Sequence, residues 1–174
     1  MGQDADGAAL LQKAESGGCA LRYILLTHGH YDHYTGVQEI LALRPDLPVY
    51  IHEKDCCDGP EKLRMQRLPA QNQRYYKEGD ELKLGSLTLR VLETPGHSAG
   101  SVTLMTEGAL FTGDTLFAAS CGRTDLQGSD PLAMRASLDR LKALDGDYRV
   151  LPGHGRESTL SREREYNPYL RYAR

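Results

Sequence analysis

The amino-acid sequence predicts one mixed α/β (α+β) domain, in which stacked sheets present polar side chains along one edge. Its 174 residues suit a single domain spanning residues 1–174. Short apolar runs of strand length alternate with stretches of helical periodicity. Several strands run into a glycine turn that is followed by a histidine or an aspartate. Side chains from distant parts of the sequence should therefore meet where these strands end.

Four elements, alternating helix and strand, are predicted before residue 55. They are a helix around Leu10, Leu11 and Ala14 that stops at Gly17-Gly18, a strand at residues 23–26, a helix around Val37, Ile40 and Leu41 that Pro45 ends, and a strand at residues 49–52. The first strand leads straight into Thr27-His28. The polar, mixed stretch from about residue 55 to residue 73 predicts no element.

The second half predicts a hairpin, three further strands and two helical segments. They are a hairpin from Leu82 to Val91 that turns at Gly85-Ser86, strands around Val102 and Leu104, at Leu110-Phe111 and at residues 149–151, a helix opened by Asp130-Pro131 with Met134, Leu138 and Leu141 on one face and Gly146 beyond its end, and a charged tail at residues 158–174 that starts as a helix.

Three of the six histidines fall within one short stretch, His28-Gly29-His30-Tyr31-Asp32-His33. Three imidazoles and a carboxylate in one desolvated place are costly unless a cation binds them. His28 and His30 project to the same side of an extended segment, whereas Asp32 and His33 can face a second point. The stretch therefore predicts a metal site.

Three further candidate ligands follow glycines later in the chain, at His97, Asp114 and His154. One metal ion could take His28, His30 and His97, and a second could take Asp32, His33 and His154. The two oxygens of Asp114 can bridge them. Imidazole and carboxylate ligands suit two zinc ions first, with iron or manganese as alternatives. Such a pair would share a water and yield a metal-bound hydroxide that attacks a carbonyl carbon, with Asp32 helping to orient it.

Arg123 lies in Gly122-Arg123-Thr124-Asp125, close in sequence to the predicted site. Its guanidinium could bind a substrate carboxylate through two parallel hydrogen bonds. It could equally make a structural contact with Asp125, and the sequence leaves both interpretations open. Cys121 is expected to be a small buried side chain and His52 a structural residue, since neither belongs to a ligand motif.

Composition excludes several classes of function. The formal net charge of −3 favours no nucleic-acid partner, and no apolar run is long enough to cross a membrane. The first residues show no secretory signal, so we expect a cytoplasmic protein. The four cysteines are expected to be reduced thiols, because their spacing does not suit a disulfide framework. They are Cys19, Cys56, Cys57 and Cys121.

Four motifs resemble those of the metallo-β-lactamase superfamily and occur in the same order. They are Thr27-His28-Gly29-His30-Tyr31-Asp32-His33, Thr94-Pro95-Gly96-His97, Thr112-Gly113-Asp114 and Pro152-Gly153-His154-Gly155. The resemblance implies a four-layer αββα sandwich with metal ions at one edge. It also implies that the ligands are the seven histidines and aspartates named above, with Asp32 and Asp114 as catalytic residues.

Three further segments are similar to the small, single-domain glyoxalase II-like hydrolases. They are Gly113-Asp114-Thr115-Leu116-Phe117, Cys121-Gly122-Arg123-Thr124-Asp125 and Asn167-Pro168-Tyr169-Leu170. This similarity implies an enzyme like hydroxyacylglutathione hydrolase, which cleaves the thioester of S-lactoylglutathione. The expected partner is thus a small-molecule thioester.

The sequence departs from the family at both ends. Family members usually begin with a β-hairpin that ends in an acidic turn, whereas this chain starts at about that turn, with Met1-Gly2-Gln3-Asp4. The sandwich is therefore expected to lack its N-terminal strands. An uncovered sheet edge invites association, which predicts a homodimer through that edge. The resemblance also leads us to expect no counterpart of the helical domain that binds glutathione in larger glyoxalase II enzymes.

Three other functions compete with the thioesterase. A persulfide dioxygenase would share the Gly-Arg-Thr-Asp stretch but use a single iron. A lactone or β-lactam hydrolase would use the same hydroxide on another carbonyl. A protein that binds metal without turnover is the alternative outside the enzymes. His154 and the intact Asp32-His33 pair favour two metal ions and hence the hydrolase.

Overall fold

The computed structural model describes residues 7–56 and 68–171, which contain five α-helices and eleven strands. The helices are α1 (Gly7–Ser16), α2 (Val37–Leu43), α3 (Pro131–Lys142), α4 (Leu160–Tyr166) and α5 (Pro168–Arg171). The strands are β1 (Ile24–Leu25), β2 (Val49–His52), β3 (Gln73–Tyr76), β4 (Glu81–Leu84), β5 (Leu87–Glu93), β6 (Val102–Met105), β7 (Ala109–Gly113), β8 (Leu116–Phe117), β9 (Ser120–Cys121), β10 (Arg149–Pro152) and β11 (Ser158–Thr159).

Two sheets and their covering helices form the αββα sandwich that the family resemblance implies. The smaller sheet has the order β1-β2-β3 with parallel pairing, and the larger has the order β11-β10-β7-β6-β5-β4. The sheets pack together through a cluster that includes Tyr76 of β3 and Val91 of β5. Because side chains alternate along a strand, Leu92 faces the opposite way and packs under α3. The predicted fold class is confirmed.

Helix α3 shows how local sequence and packing combine on the outer face of the larger sheet. The Asp130 carboxylate caps it by accepting hydrogen bonds from the N–H groups of Leu132 at 2.8 Å and Ala133 at 3.1 Å. Leu138 and Leu141 are fully or almost fully buried against the sheet. Each such side chain contributes about 1.5–3 kcal/mol through burial.

Most predicted elements are present, with boundary changes that have simple physical reasons. The run at residues 23–26 pairs only over Ile24–Leu25, where it lies beside β2. The tail predicted to be helical from Ser158 first pairs with β10 as β11 and becomes helical at Leu160, where the Thr159 hydroxyl caps α4. The hairpin turn at Gly85 has a φ of +62°, which favours glycine.

Two pieces of the sheet structure were not predicted. Strand β3 adds to β2 in parallel, although its side chains in the order Gln-Arg-Tyr-Tyr show no clear alternation. Strands β8 and β9 form a two-stranded hairpin too short to produce a periodic pattern. The predictions for Met1–Asp4, Cys57 and the end of the tail at 172–174 lie outside the described residues.

Helices in the described ranges are all too short or too polar to cross a lipid bilayer. The prediction of a single domain for residues 1–174 stays a prediction.

The edge of β1 is the place where the predicted homodimer would form. β1 pairs with β2 on one side, and within residues 7–56 and 68–171 no strand pairs with its other side. Beside that edge lies an apolar groove of about 420 Å³ lined in part by Leu25, Leu84, Leu104 and Phe111. Backbone groups of an unpaired edge and exposed apolar side chains both favour association.

We expect the chain to dimerise through this edge as its concentration rises, and Phe111→Ser to weaken the dimer. Phe111 is 39% exposed in the groove, so the change removes apolar contact area without opening the core. Leu132→Ser is the matched control, since Leu132 is 82% exposed on α3. Light scattering across a concentration series provides the measurement, and a monomer at every concentration would disprove the dimer.

Candidate metal centre

The predicted ligands come together because four loops leave the sheets at the same edge. β1 leads into the loop of His28 and His30, and a 3₁₀ turn at Tyr31–His33 carries the next two candidates. β5 leads to His97. β7 and β10 are parallel neighbours that lead to Asp114 and His154. Parallel strands end at the same edge, which brings residues forty positions apart into one place.

The first group of donors consists of His28, His30 and His97. One ring nitrogen from each lies within 4.8 Å of the others. His30 Nδ1 and His97 Nε2 are 2.7 Å apart. The three rings meet edge to face, with centroids 4.5–5.0 Å apart. The closeness of the three donor nitrogens, rather than the ring packing, is what makes the group suitable for a single ion.

The second group consists of Asp32, His33 and His154, whose donor atoms also lie within 4.8 Å of one another. His154 Nε2 is 3.1 Å from Asp32 Oδ2 and 3.2 Å from His33 Nε2. His33 is buried, whereas the His154 side chain is 42% exposed. This group therefore opens to solvent on its His154 side.

Asp114 lies between the two groups and touches both. Its Oδ2 is 3.4 Å from His97 Nε2, and its Oδ1 is 3.4 Å from His33 Nε2. His28, His33 and Asp114 also form a set that could hold an ion. The two carboxylate oxygens of Asp114 thus face different groups, and its bridging role stays a prediction.

Two buried polar atoms of this centre, His28 Nε2 and Asp114 Oδ1, have no hydrogen-bond partner among the described residues. An unpaired buried polar atom costs roughly 1–3 kcal/mol, so such atoms are uncommon in stable proteins. A divalent cation would satisfy both at once. The donors present, imidazole nitrogens and carboxylate oxygens, are those that zinc, iron and manganese accept. The residues thus fit a metal centre.

The directions of the pKa shifts at His28, His30 and Asp114 also suit metal binding. Burial, and then the neighbouring histidines, hold the pKa of His28 well below its usual value. Burial also lowers the pKa of His30, with His97 adding to the effect. Burial alone would raise the pKa of Asp114, but the adjacent imidazoles of His33, His97 and His154 outweigh it and lower the pKa. A lowered pKa favours the neutral rings of His28 and His30 and the ionised carboxylate of Asp114, and these are the forms that bind a cation.

Glycines in the motifs give the ligands room. A Cβ on Gly153 would overlap Asp114 Oδ1 and lie 2.6 Å from His33 Cε1. Gly96 has a φ of +142°, and a Cβ there would lie 2.5 Å from Met134 Cβ at the start of α3. The close approach of α3 to this turn, with Asp130 N–H donating to the Gly96 carbonyl at 2.8 Å, fixes the loop of His97.

A cavity of about 670 Å³ opens directly onto the centre. His30, Asp32, His97, Asp114 and His154 form its floor. Its walls combine apolar and polar side chains and consist of Tyr31, Phe117, Ser120, Cys121, Arg123 and Leu126. The volume is in the range of small-molecule sites.

One cavity wall is held by a buried network that the sequence analysis did not find. Glu163 accepts hydrogen bonds from the Ala119 N–H at 2.7 Å, the Ser158 hydroxyl at 2.5 Å and the Asn167 amide at 2.8 Å. Asn167 also donates to the carbonyls of Phe117 and Ser120. The network holds the β8–β9 turn, where Ala119 has a φ of +57°. The Asn-Pro-Tyr-Leu segment gave a sequence signal, but its role required the structure.

Of the remaining candidates, Arg123 and Cys121 line the cavity, whereas His52 does not. Arg123 pairs with Asp125 through Nε–Oδ1 at 2.7 Å and Nη2–Oδ2 at 2.8 Å, the structural contact left open by the sequence, while still lining the cavity. Its backbone carbonyl lies 2.9 Å from His97 Nδ1. Burial raises the pKa of the half-buried Cys121 thiol. His52 lies outside the centre, with Nε2 at 3.1 Å from Glu93 Oε1.

Comparison with known proteins agrees with this geometry. The profile of the metallo-beta-lactamase superfamily matches residues 1–154. A hydroxyacylglutathione hydrolase of Hahella chejuensis is 41% identical over 160 residues, which cover 90% of this chain and 56% of that enzyme. The chain thus spans about half the length of that relative.

Two solved structures share the fold over most of both chains. One is TTHA1623 in a di-iron-bound form, with a TM-score of 0.76, 36% identity and coverage of 93% of this chain and 84% of that one. The other is ETHE1 from Myxococcus xanthus, with a TM-score of 0.76, 25% identity and coverage of 97% and 76% respectively.

We expect Gly153→Ala to reduce metal binding, because the added methyl group would overlap Asp114 and crowd His33. Gly108→Ala is the control, since a Cβ at Gly108 meets nothing within 4 Å. Metal content after dialysis against a zinc buffer provides the measurement. Equal metal content in both variants would show that the close packing at Gly153 does not matter for the centre.

Proposed function

We propose that this chain, which belongs to the metallo-beta-lactamase superfamily, is a hydrolase that uses two metal ions to cleave a thioester of the S-lactoylglutathione type. The observation that carries the proposal is the meeting of two donor groups around Asp114 at the floor of an open cavity. The hydroxyacylglutathione hydrolase of Hahella chejuensis supports the choice of substrate. Because the chain spans 56% of that enzyme, the thioester is a proposal for this chain.

In this proposal one ion would be held by His28, His30 and His97, the other would be held by Asp32, His33 and His154, and Asp114 could contribute an oxygen to each. Zinc is the first choice, with iron or manganese as alternatives. Bound ions would polarise a carbonyl group and make a nearby water acidic enough to ionise close to neutral pH.

Asp32 has a second role as the residue that handles the proton of the attacking water. Its carboxylate lines the cavity and its side chain is 20% exposed, so a water in the cavity can donate a hydrogen bond to it. Oriented in this way, the oxygen adds to the carbonyl carbon of the thioester. The carbon–sulfur bond then breaks, releasing a carboxylic acid and a thiol that carries the proton.

The cavity walls explain how a thioester of this kind would be held. Phe117 and Leu126 offer apolar surface for the acyl and thiol chains. Arg123 lies among the wall residues with a side chain that is 62% exposed. Exposed ion pairs contribute little to stability, so a substrate carboxylate can compete with Asp125 for the guanidinium.

A persulfide dioxygenase is the second candidate, and the structural likeness to ETHE1 is compatible with it. That chemistry needs one iron ion held by two histidines and an aspartate. The complete second group of Asp32, His33 and His154 supports the two-metal hydrolase instead.

Metal analysis combined with two assays separates these functions. The hydrolase proposal predicts two metal ions per chain and hydrolysis of S-lactoylglutathione. One iron ion with oxygen uptake on glutathione persulfide would overturn it in favour of the dioxygenase. Turnover of a lactone or a β-lactam without any thioesterase activity, or metal binding without turnover, would also reject it.

The role of the first group is tested by His97→Ala. The variant should lose one metal ion per chain and about a hundredfold or more of its thioesterase activity, because a ligand matters more than its supporting contacts. His52→Ala is the matched control, a buried histidine that is hydrogen-bonded to Glu93 outside the centre. Full activity and metal content in His97→Ala would remove His97 from the site.

Arg123→Ala tests recognition of a substrate carboxylate. The variant should keep both metal ions and kcat while KM rises about tenfold, the loss expected for a charge-assisted hydrogen bond. Arg135→Ala serves as control, since Arg135 pairs with Asp139 on the surface of α3. An unchanged KM would show that Arg123 acts only through its contact with Asp125.

A further inference from the structure

Asp55 is a fully buried acid that belongs to none of the sequence motifs. It ends the 3₁₀ turn Glu53–Asp55 that follows β2. Its carboxylate accepts hydrogen bonds from the Gly29 N–H at 3.0 Å, the Gly100 N–H at 2.7 Å and the Ser98 hydroxyl at 2.5 Å. A buried carboxylate is costly unless its oxygens are hydrogen-bonded, and here three donors satisfy it.

These three donors belong to the two loops that supply the first metal-binding group. Gly29 lies between His28 and His30, in the loop that leaves the smaller sheet. Ser98 follows His97, in the loop that leaves the larger sheet. One backbone hydrogen bond, from the Val102 N–H to the Thr27 carbonyl at 2.9 Å, also links these segments. The Asp55 carboxylate therefore ties two ligand loops from opposite layers of the sandwich.

The space around Asp55 is shaped for this contact. A Cβ on Gly29 would lie 2.5 Å from the Asp55 carbonyl oxygen, and a Cβ on Gly100 would lie 2.7 Å from Asp55 Oδ1. Both positions need the absence of a side chain so that the two loops can close onto the acid. Ser98 is further held by Ser101, whose hydroxyl oxygen lies 2.7 Å from its own.

The second group has no such tie to Asp55. The hydrogen bonds of the carboxylate reach residues beside His28, His30 and His97, and none goes to Asp32, His33 or His154. A change at Asp55 should therefore act on one group of ligands and spare the other.

We infer that Asp55 is a positioning residue that sets the distance between the His28–His30 loop and the His97 loop, and so governs binding of the first metal ion. The inference rests on the proposed metal centre and is independent of the substrate. Contacts that orient metal ligands typically change metal affinity by about 10–100-fold when removed.

Asp55→Asn is the decisive variant because it keeps the size of the side chain. Its amide has one acceptor oxygen and one donor group. Whichever way it turns, the donor faces either the Gly100 N–H or the Gly29 N–H and Ser98 hydroxyl, so part of the tie is lost. Ser98→Ala removes one donor only and provides a milder variant if Asp55→Asn folds poorly.

Glu163→Gln is the matched control. Glu163 is also a buried carboxylate with three donors, but its network holds the β8–β9 turn and contacts none of the loops that carry His28, His30 and His97. Asp55→Asn and Glu163→Gln should both lower the melting temperature of the metal-free protein. Only the Asp55 and Ser98 variants should change metal binding.

The experiment is a zinc titration of the full chain in competition with a chromophoric chelator, followed by the spectrum of the cobalt-loaded protein. We expect Asp55→Asn to lower the affinity for one of the two ions by about 10–100-fold. The cobalt spectrum of the ion that stays bound should resemble the spectrum of His97→Ala. Ser98→Ala should lower the affinity for the same ion by a smaller factor.

Unchanged affinities for both ions in Asp55→Asn and Ser98→Ala would overturn the inference. An equal loss of affinity for both ions in Asp55→Asn would also overturn it, as would a loss of affinity for the first ion in Glu163→Gln. A wild-type protein that binds two ions but hydrolyses no thioester would reject the proposed function and leave this inference intact. A wild-type protein that binds no zinc would overturn both.

Discussion

The structure depends on one constraint, the crowding of imidazole nitrogens and carboxylate oxygens at one buried place, where His28 Nε2 and Asp114 Oδ1 find no hydrogen-bond partner among the described residues. His30 Nδ1 and His97 Nε2 are 2.7 Å apart, and Asp114 Oδ1 is buried with no hydrogen-bond partner in the described part of the chain. Burial keeps the pKa of His28 low, so that imidazole cannot gain stability as a cation. A bound divalent ion would accept the lone pairs of the neutral imidazoles and balance the negative charge of the carboxylates.

The two sheets share the task of building this centre. The smaller sheet supplies the loop that starts at His28, and the larger sheet supplies His97, Asp114 and His154. Because the ligands come from both layers, their distances depend on how the layers are joined. The apolar cluster between the sheets gives general cohesion, whereas the Asp55 carboxylate and the glycines at 96 and 153 adjust particular loops. The residues that hold the two sheets together are thus different from the residues that position the ligand loops.

The sequence was informative where chemistry and periodicity leave a local pattern. The stretch from His28 to His33 and the three later motif residues predicted which side chains meet, and Asp130-Pro131 predicted the start of α3. It was uninformative where the partner is distant. Asp55 and Glu163 are isolated acidic residues in the sequence. The donors to Asp55 lie 26–45 residues away from it, and one donor to Glu163 lies 44 residues away. Strand β3 is assigned through its neighbour β2 and has no alternation of its own. The sequence also left open whether Arg123 pairs with Asp125, and the structure shows that pair.

Anomalous diffraction from crystals grown with zinc would locate the ions of a two-metal centre. We expect two peaks about 3.5–4 Å apart. One should lie within bonding distance of His28, His30 and His97, the other within bonding distance of Asp32, His33 and His154, and Asp114 should contact both. Crystals that show the same ring positions with no ion between them would contradict this expectation, because the donors would then be stable together without the cation that explains their arrangement.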